Sequence, residues 1–209
     1  MKIVAISDTH GQHHDLDLPK GDMIIHAGDV SKRGTKTEIL DFLDYFSALD
    51  YEYKIFIAGN HDFFFEKESA EDIANVIPPN VIYLNDSGIQ IEGVNIWGSP
   101  IQPWFFDWAF NRQRGIDIVK HWELIPKNTD ILVTHGPPMG ILDKTTKGLS
   151  VGCEELTRTI ESLHQLKMHI FGHIHEAYGC QEMGGTEFIN ASVLDVKYRL
   201  RNKAFFREL

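Results

Sequence analysis

"GDMIIHAGD", residues 21–29, runs an apolar stretch into a glycine and then stops on an acid, Asp29. The run suits a buried strand, yet a buried strand that ends on a carboxylate must offset the cost of taking that charge out of water. The same construction recurs along the chain. "KIVAISDTH" (2–10) ends on Asp8 and His10, and "YKIFIAGNHD" (53–62) ends on Asn60, His61 and Asp62. "DILVTHG" (130–136) delivers His135, and "HIFGHIH" (169–175) delivers His173 and His175. Each is a short apolar run of the kind that fills a strand, followed at once by a side chain that can ligate a metal.

Composition limits what these strand ends can do. A chain of 209 residues with 43% hydrophobic content is long enough for one sizeable core and does not require two, so a single domain over residues 1–209 is expected. The 30 acids against 20 bases give a net charge of −10, which repels a nucleic-acid polymer or an anionic membrane surface. A small anionic substrate is compatible with that charge if a cation sits in the site. Cys153 and Cys180 are too few for a disulfide framework and lack CxxC spacing, as expected of two reduced thiols in a cytoplasmic protein. No basic-then-apolar leader opens the sequence, and no apolar run approaches the ~18 residues needed to span a bilayer.

Further strand signal lies in "NVIYLND" (80–86), "GIQIEGVNIWGSP" (88–100) and "GTEFINAS" (185–192). Between the strands, Ile39, Leu40, Phe42, Leu43, Phe46 and Leu49 follow helical spacing, with Thr35 or Thr37 as the cap. Other helices are expected over 66–76, 114–123 and about 152–166. Alternating strands and helices predict an α/β protein. About eight strands are too many for four helices to cover in one doubly wound sheet, so two stacked sheets with helices outside fit better, the 80–100 segment belonging to the second. Ligands in open α/β sheets lie beyond the carboxyl ends of the strands, where the polar clusters fall.

Asp8, His10, Asp29, Asn60, His135, His173 and His175 form a nitrogen and oxygen donor set without thiolate. That chemistry suits Mn, Fe, Zn or Ni, and seven donors suit two ions sharing a carboxylate better than one tetrahedral ion. Taken singly, each cluster could be a turn or cap; the histidines of "GHIH" are the hardest to dismiss that way.

With "DTH" at 8, "GD" at 28, "GNHD" at 59, "TH" at 134 and "GHIH" at 172, the chain resembles the calcineurin-like metallophosphoesterases. "GSPIQPWFFDWAFN", "DILVTHGPPMG", "VGCEEL", "FGHIHEAYG" and "INAS" resemble segments of its metallophosphoesterase-domain-containing group, which includes brain-expressed vertebrate members. The resemblance implies a four-layer α/β/β/α sandwich and hydrolysis of small phosphodiesters, cyclic nucleotides among them, with two divalent transition-metal ions, manganese first. It implies that Asp8, His10 and His175 hold one ion and Asn60, His135 and His173 the other, with Asp29 bridging. Asn60, His61 and His135 would contact substrate. His61 would be the general acid after attack by a metal-bound hydroxide, a task suited to an imidazole near neutral pH, and Asp62 would orient it.

Where many family members continue the GD motif with a further acid, this chain has "GDVSKRG", so Lys32 or Arg33 is expected either to reach the substrate phosphate or to lie on an exposed loop. "PWFFDWAFN" (103–111) is expected to be core, interface or a base-stacking wall. His13, His14, His26, His121, His164 and His169 lack ligand spacing and are expected on the surface or in helices. The C-terminal "YRLRNKAFFREL" leaves three placements open: packed on the core, at an interface, or frayed. A phosphomonoesterase, and a scaffold that borrows the fold without catalysis, are the competing functions. The oligomeric state is left open.

Overall fold

The strands form because their residues alternate between two apolar surroundings. In β1 (Lys2–Ile6), Ile3 and Ala5 join one core while Val4 and Ile6 join another. The same alternation runs through β2 (Met23–Ala27) and β3 (Tyr53–Ile57), as expected of strands buried on both faces. A computed structural model describes residues 1–209. The remaining strands are β4 (Ile82–Tyr83), β5 (Ser87–Ile91), β6 (Val94–Ser99), β7 (Gln102–Pro103), β8 (Asn111–Arg112) and β9 (Ile131–Thr134). They continue with β10 (Met168–Phe171), β11 (Gly179–Met183), β12 (Thr186–Asn190) and β13 (Phe205–Glu208). The helices are α1 (Lys36–Ala48), α2 (Phe64–Lys67), α3 (Ala70–Val76), α4 (Ile116–Trp122) and α5 (Glu154–Ile160).

Two large mixed sheets face each other. The first has the order β13-β1-β2-β3-β4 and the second β11-β12-β10-β9-β6-β5. In both, the inner strands are parallel and the antiparallel strands sit at edges. Ile3, Ile25, Ile55, Ile131, Val133, Ile170 and Ile189 fill the core between the sheets. On the outer faces, Ile39, Phe42, Leu43 and Phe46 of α1 pack with Val4, Ile24 and Phe56 of the first sheet. Ile118, Trp122 and Leu156 of α4 and α5 lie in the same cluster as Trp97 and Leu132 of the second sheet. The result is the α/β/β/α sandwich.

Thr35 caps α1 through a reciprocal capping box with Glu38. The helix expected over 66–76 is instead two, because Ser69 starts α3 afresh by accepting from the Asp72 backbone. The helix expected over 152–166 stops at Ile160. Ser162 takes the Thr159 carbonyl with its hydroxyl, and the chain continues in three-residue turns that bury Leu163 and Leu166. The 80–100 segment also divides: β5 and β6 join the second sheet as expected, but β4 pairs with β3 in the first. The C-terminal segment is neither frayed nor free, for β13 forms the edge of the first sheet against β1. No helix is long and apolar enough to cross a membrane.

At one end of the sandwich the sheets are joined directly. Ser7 donates its amide to the Ala191 carbonyl, and Val193 donates to the Ser7 carbonyl. The polar ends of β1, β2, β3, β9 and β10 meet there.

Candidate metal centre

Each strand leaves its sheet through a sharp turn that aims a donor inward. Asp8, His10, Asp29 and His173 all have left-handed backbone, with φ of 56°, 42°, 56° and 67°. Such a conformation is rare outside glycine and persists where surrounding contacts over-determine it. The Asp8 carboxylate accepts from the His173 backbone N–H at 3.0 and 3.1 Å and from the Ser192 hydroxyl at 2.7 Å. Asp29 accepts from the His61 N–H at 2.8 Å through Oδ1 and faces inward with Oδ2. Glycine precedes Asn60 and His173 because there is no room for more: a Cβ at Gly59 would overlap Asp29, and one at Gly172 would overlap Asp8 and Ser7.

The imidazoles are oriented by one repeated device. Nδ1 of His10 lies 3.2 Å from the Ser31 carbonyl, that of His135 3.0 Å from the Ala27 carbonyl, and that of His175 3.1 Å from the Asp195 carbonyl. A carbonyl can only accept, so each Nδ1 carries a proton and Nε2 is the nitrogen left to ligate a metal, the arrangement metal-binding histidines adopt. The Nε2 atoms converge. His10 and His175 face each other at 3.4 Å, and Asp29 Oδ2 lies 3.5 Å from His10 Nε2 and 3.4 Å from His135 Nε2. Asn60 Oδ1 is 2.9 Å from His135 Nε2, and His175 Nε2 is 3.4 Å from Asp8 Oδ1. Asp8, His10 and His175 form one group whose ligand atoms lie within 4.8 Å of one another; Asp29, His135 and His173 form a second. Asp29 touches both.

The residues fit divalent cations. Lone pairs and carboxylates crowd together at separations that leave no better use for them, and without cations protons must stand in. Burial lowers His175 and His135, but Asp8 and Asp29 respectively overcome it and hold both imidazoles up at about 9. His10 and His173, where burial prevails, fall to about 4. Burial works to raise Asp8 and Asp29, yet the facing histidines keep both below the usual carboxylate range.

His61 stands beside this group. Its Nδ1 lies 2.8 Å from the Lys32 carbonyl, and its ring stacks on Trp108 at 4.2 Å between centroids. Asp62 does not orient it, contrary to expectation. The Asp62 carboxylate is fully taken by the backbone of Val30, Ser31 and Gly59 and by the Ser31 hydroxyl, so it ties the turn after β2 to the turn after β3. Burial and then the charge of Asp29 raise its pKa to about 6, against the hydrogen bonds from Ser31 and Gly59. Lys32 acts on His61 through its main chain, while its side chain and that of Arg33 are exposed.

The mouth is a cavity of about 300 Å³ with aromatic walls, Phe105 and Trp108 on one side and Tyr198 on another. The 103–111 segment therefore divides three ways: Phe110 is core, Trp108 backs His61, and Trp104, Phe105 and Phe106 are exposed. Tyr198 packs against His10 and His175 at 4.9 and 5.1 Å. Ser192 and Tyr198 were not anticipated as site residues. The "INAS" segment carried a hint of the first; nothing in the basic C-terminal stretch pointed to the second.

Two histidines expected on the surface or in helices lie buried on strands instead, His26 and His169, while His13 is buried at the start of the short 3-10 helix His13–Asp15. His26 and His169 occupy outward positions of β2 and β10, where they bond Thr9 at 2.9 Å and Thr134 at 2.8 Å under their helices or loops. Burial lowers both to about 3, so they stay neutral.

The calcineurin-like phosphoesterase family profile matches residues 1–177. The chain belongs to that family. It is 41% identical to human metallophosphoesterase domain-containing protein 1 over 220 residues, which cover 95% of this chain and 68% of that one. It is 37% identical to a Caenorhabditis elegans protein of the UPF0046 group, over 92% of this chain and 69% of the other. The fold is that of protein TT1561 of Thermus thermophilus, with a TM-score of 0.64 at 17% identity, covering 99% of this chain and 98% of that one. Membership implies a phosphoric ester hydrolase that uses divalent metal ions, and the clusters above are the candidate ligands.

Proposed function

We propose that this chain is a dinuclear phosphodiesterase for small phosphodiesters, cyclic nucleotides first among them. The observation that carries the proposal is the meeting of seven donors from two sheets, with Asp29 between the two groups and His61 at their edge. Asp8, His10 and His175 would hold one ion, Asn60, His135 and His173 the other, and Asp29 both. Two such cations neutralise phosphate charge and generate a nucleophile from water near neutral pH. The nitrogen and oxygen set suits Mn²⁺, with Fe, Zn and Ni as alternatives.

The residues of the chain supply position and a proton. His61 keeps one proton on Nδ1 through the Lys32 carbonyl, which leaves Nε2 to carry a second and release it to a departing alkoxide. The Trp108 ring stacks on that imidazole and holds its plane. Asp29 fixes the His61 backbone, so the acid and the bridging carboxylate move as one. The aromatic mouth suits a nucleobase, and a net charge of −10 disfavours a polymer of phosphates. Free Cys153 and Cys180 suit a reducing, cytoplasmic location.

The test is hydrolysis of a chromogenic diester and of 2′,3′- and 3′,5′-cyclic nucleotides by metal-stripped protein with and without Mn²⁺, comparing His61→Ala. Activity that returns with Mn²⁺ and drops in the variant supports the diesterase. Cleavage of monoesters alone would replace it with a monoesterase, and no cleavage at saturating metal would leave the scaffold.

A further inference from the structure

We propose a third divalent-cation site, separate from the pair, built by His13, His14 and Asp41 where the turn after His10 meets α1. His13 Nε2 lies 3.1 Å from Asp41 Oδ2, and His14 Nε2 lies 3.2 Å from Asp41 Oδ1. The ligand atoms of all three residues fall within 4.8 Å of one another. Metal bonds of about 2.0–2.1 Å in a tetrahedral sphere put neighbouring donors about 3.3 Å apart, close to both separations.

The second observation is the state of His13. Its side chain is 1% exposed, yet neither ring nitrogen has a hydrogen-bond partner; Nε2 approaches Asp41 without hydrogen-bond geometry. A buried polar group left unpaired is destabilising. A cation between Nε2 and the carboxylate would take up the lone pair. A proton serves less well there, because burial and then the charge of His14 lower the His13 pKa from 6.5 against the pull of Asp41.

The rings are held ready. Phe42 packs edge-on to His13 at 5.6 Å, and Tyr45 lies against both His13 and His14 at 4.9 and 5.1 Å. Asp41, Phe42 and Tyr45 are neighbours on α1, so the helix presents the carboxylate and orients the imidazoles together. Two imidazoles and one carboxylate with a position open to water suit a borderline cation such as Zn²⁺. Bound there, it would clip the turn that follows the ligands Asp8 and His10 onto α1.

The test is equilibrium dialysis against Zn²⁺, with metal content read by elemental analysis for the full chain and for His14→Ala and Asp41→Asn. Both residues are exposed and lie outside the catalytic group, so the variants should fold and keep wild-type hydrolysis. The expected result is one zinc equivalent fewer per chain in each variant than in the wild type, and a smaller zinc-dependent rise in melting temperature. Equal zinc content in all three would overturn the proposal and leave an ordinary His–Asp contact. The readout is a difference between chains, so it stands whether or not the Asp29 centre proves to be a diesterase.

Discussion

The first sheet brings both carboxylates to the centre, Asp8 and Asp29, while the second brings histidines alone, His135, His173 and His175. The two halves are also held differently. Asp8, His10 and Asp29 are all in left-handed backbone, whereas in the second sheet only His173 is. Each such residue costs on the order of 1–3 kcal/mol, so the first half stores more strain. Asp8 is held from across the interface, its carboxylate bonded by the His173 backbone and the Ser192 hydroxyl, while Asp29 and His10 are held within their own half by the His61 N–H and the Ser31 carbonyl. The debt runs the other way at His135, whose Nδ1 is set by the Ala27 carbonyl of β2. Neither sheet carries a finished site, and the centre exists only where they dock.

That interdependence can be broken most severely at Gly172. A methyl group there would overlap Asp8 and Ser7, so Gly172→Ala should cost about 2–4 kcal/mol of stability and strip metal from the Asp8 side. Gly184→Ala, at a hairpin tip where a Cβ meets nothing, is the control and should cost only about 1 kcal/mol for its positive φ. Equal destabilisation in denaturant melts would mean that the sheets do not depend on each other at this point.

His61 sharpens the comparison, because it belongs to the first half and is the residue proposed to act on substrate. His61→Ala should lower kcat by about 10²–10⁴ for an alkoxide leaving group. The loss should shrink for a nitrophenolate, which leaves without a proton. Trp108→Leu, which removes only the stacking face, should cost less than about tenfold. An equal loss in His61→Ala for both leaving groups would argue against proton donation.

Ser192→Ala removes one cross-sheet hydrogen bond and leaves every ligand in place. It should weaken metal affinity by about 10–100-fold, as loss of a partner behind a ligand commonly does. Unchanged affinity would show that the His173 backbone alone holds Asp8.

The smallest effect is a count of protons. In the metal-free chain His135 and His175 are held at about 9, above the ordinary 6.5. Their stabilising contribution is therefore present below pH about 6.5 and lost as pH rises through about 9. Ligation requires both to give up a proton, so loading at pH 7.5 should release at least two protons per chain, any excess coming from bound water, read by calorimetry in buffers of different ionisation heat. Release near zero would mean that these imidazoles were already neutral and that the carboxylates lack the influence assigned to them.

That the residues of both halves would meet was legible in the sequence, because a buried run ending on Asp, Asn or His is costly without a purpose. The layers were legible for a related reason: more strands than the helices could cover in one sheet. What escaped depended on distant contacts. Asp62 follows His61 and was expected to serve it, but its oxygens reach Val30 and Ser31, some thirty residues away in sequence. His26 and His169 looked like surface residues since nothing local reveals that Thr9 and Thr134 will satisfy one nitrogen of each. The breaks at Ser69 and Ser162 turned on single hydroxyls within otherwise helical patterns.

Anomalous diffraction from crystals of Mn²⁺-loaded protein tests the central claim most directly. The account predicts two manganese peaks, one among Asp8, His10 and His175 and one among Asn60, His135 and His173, with the Asp29 carboxylate between them. A single peak, or two that do not share Asp29, would contradict a centre assembled jointly by the two sheets.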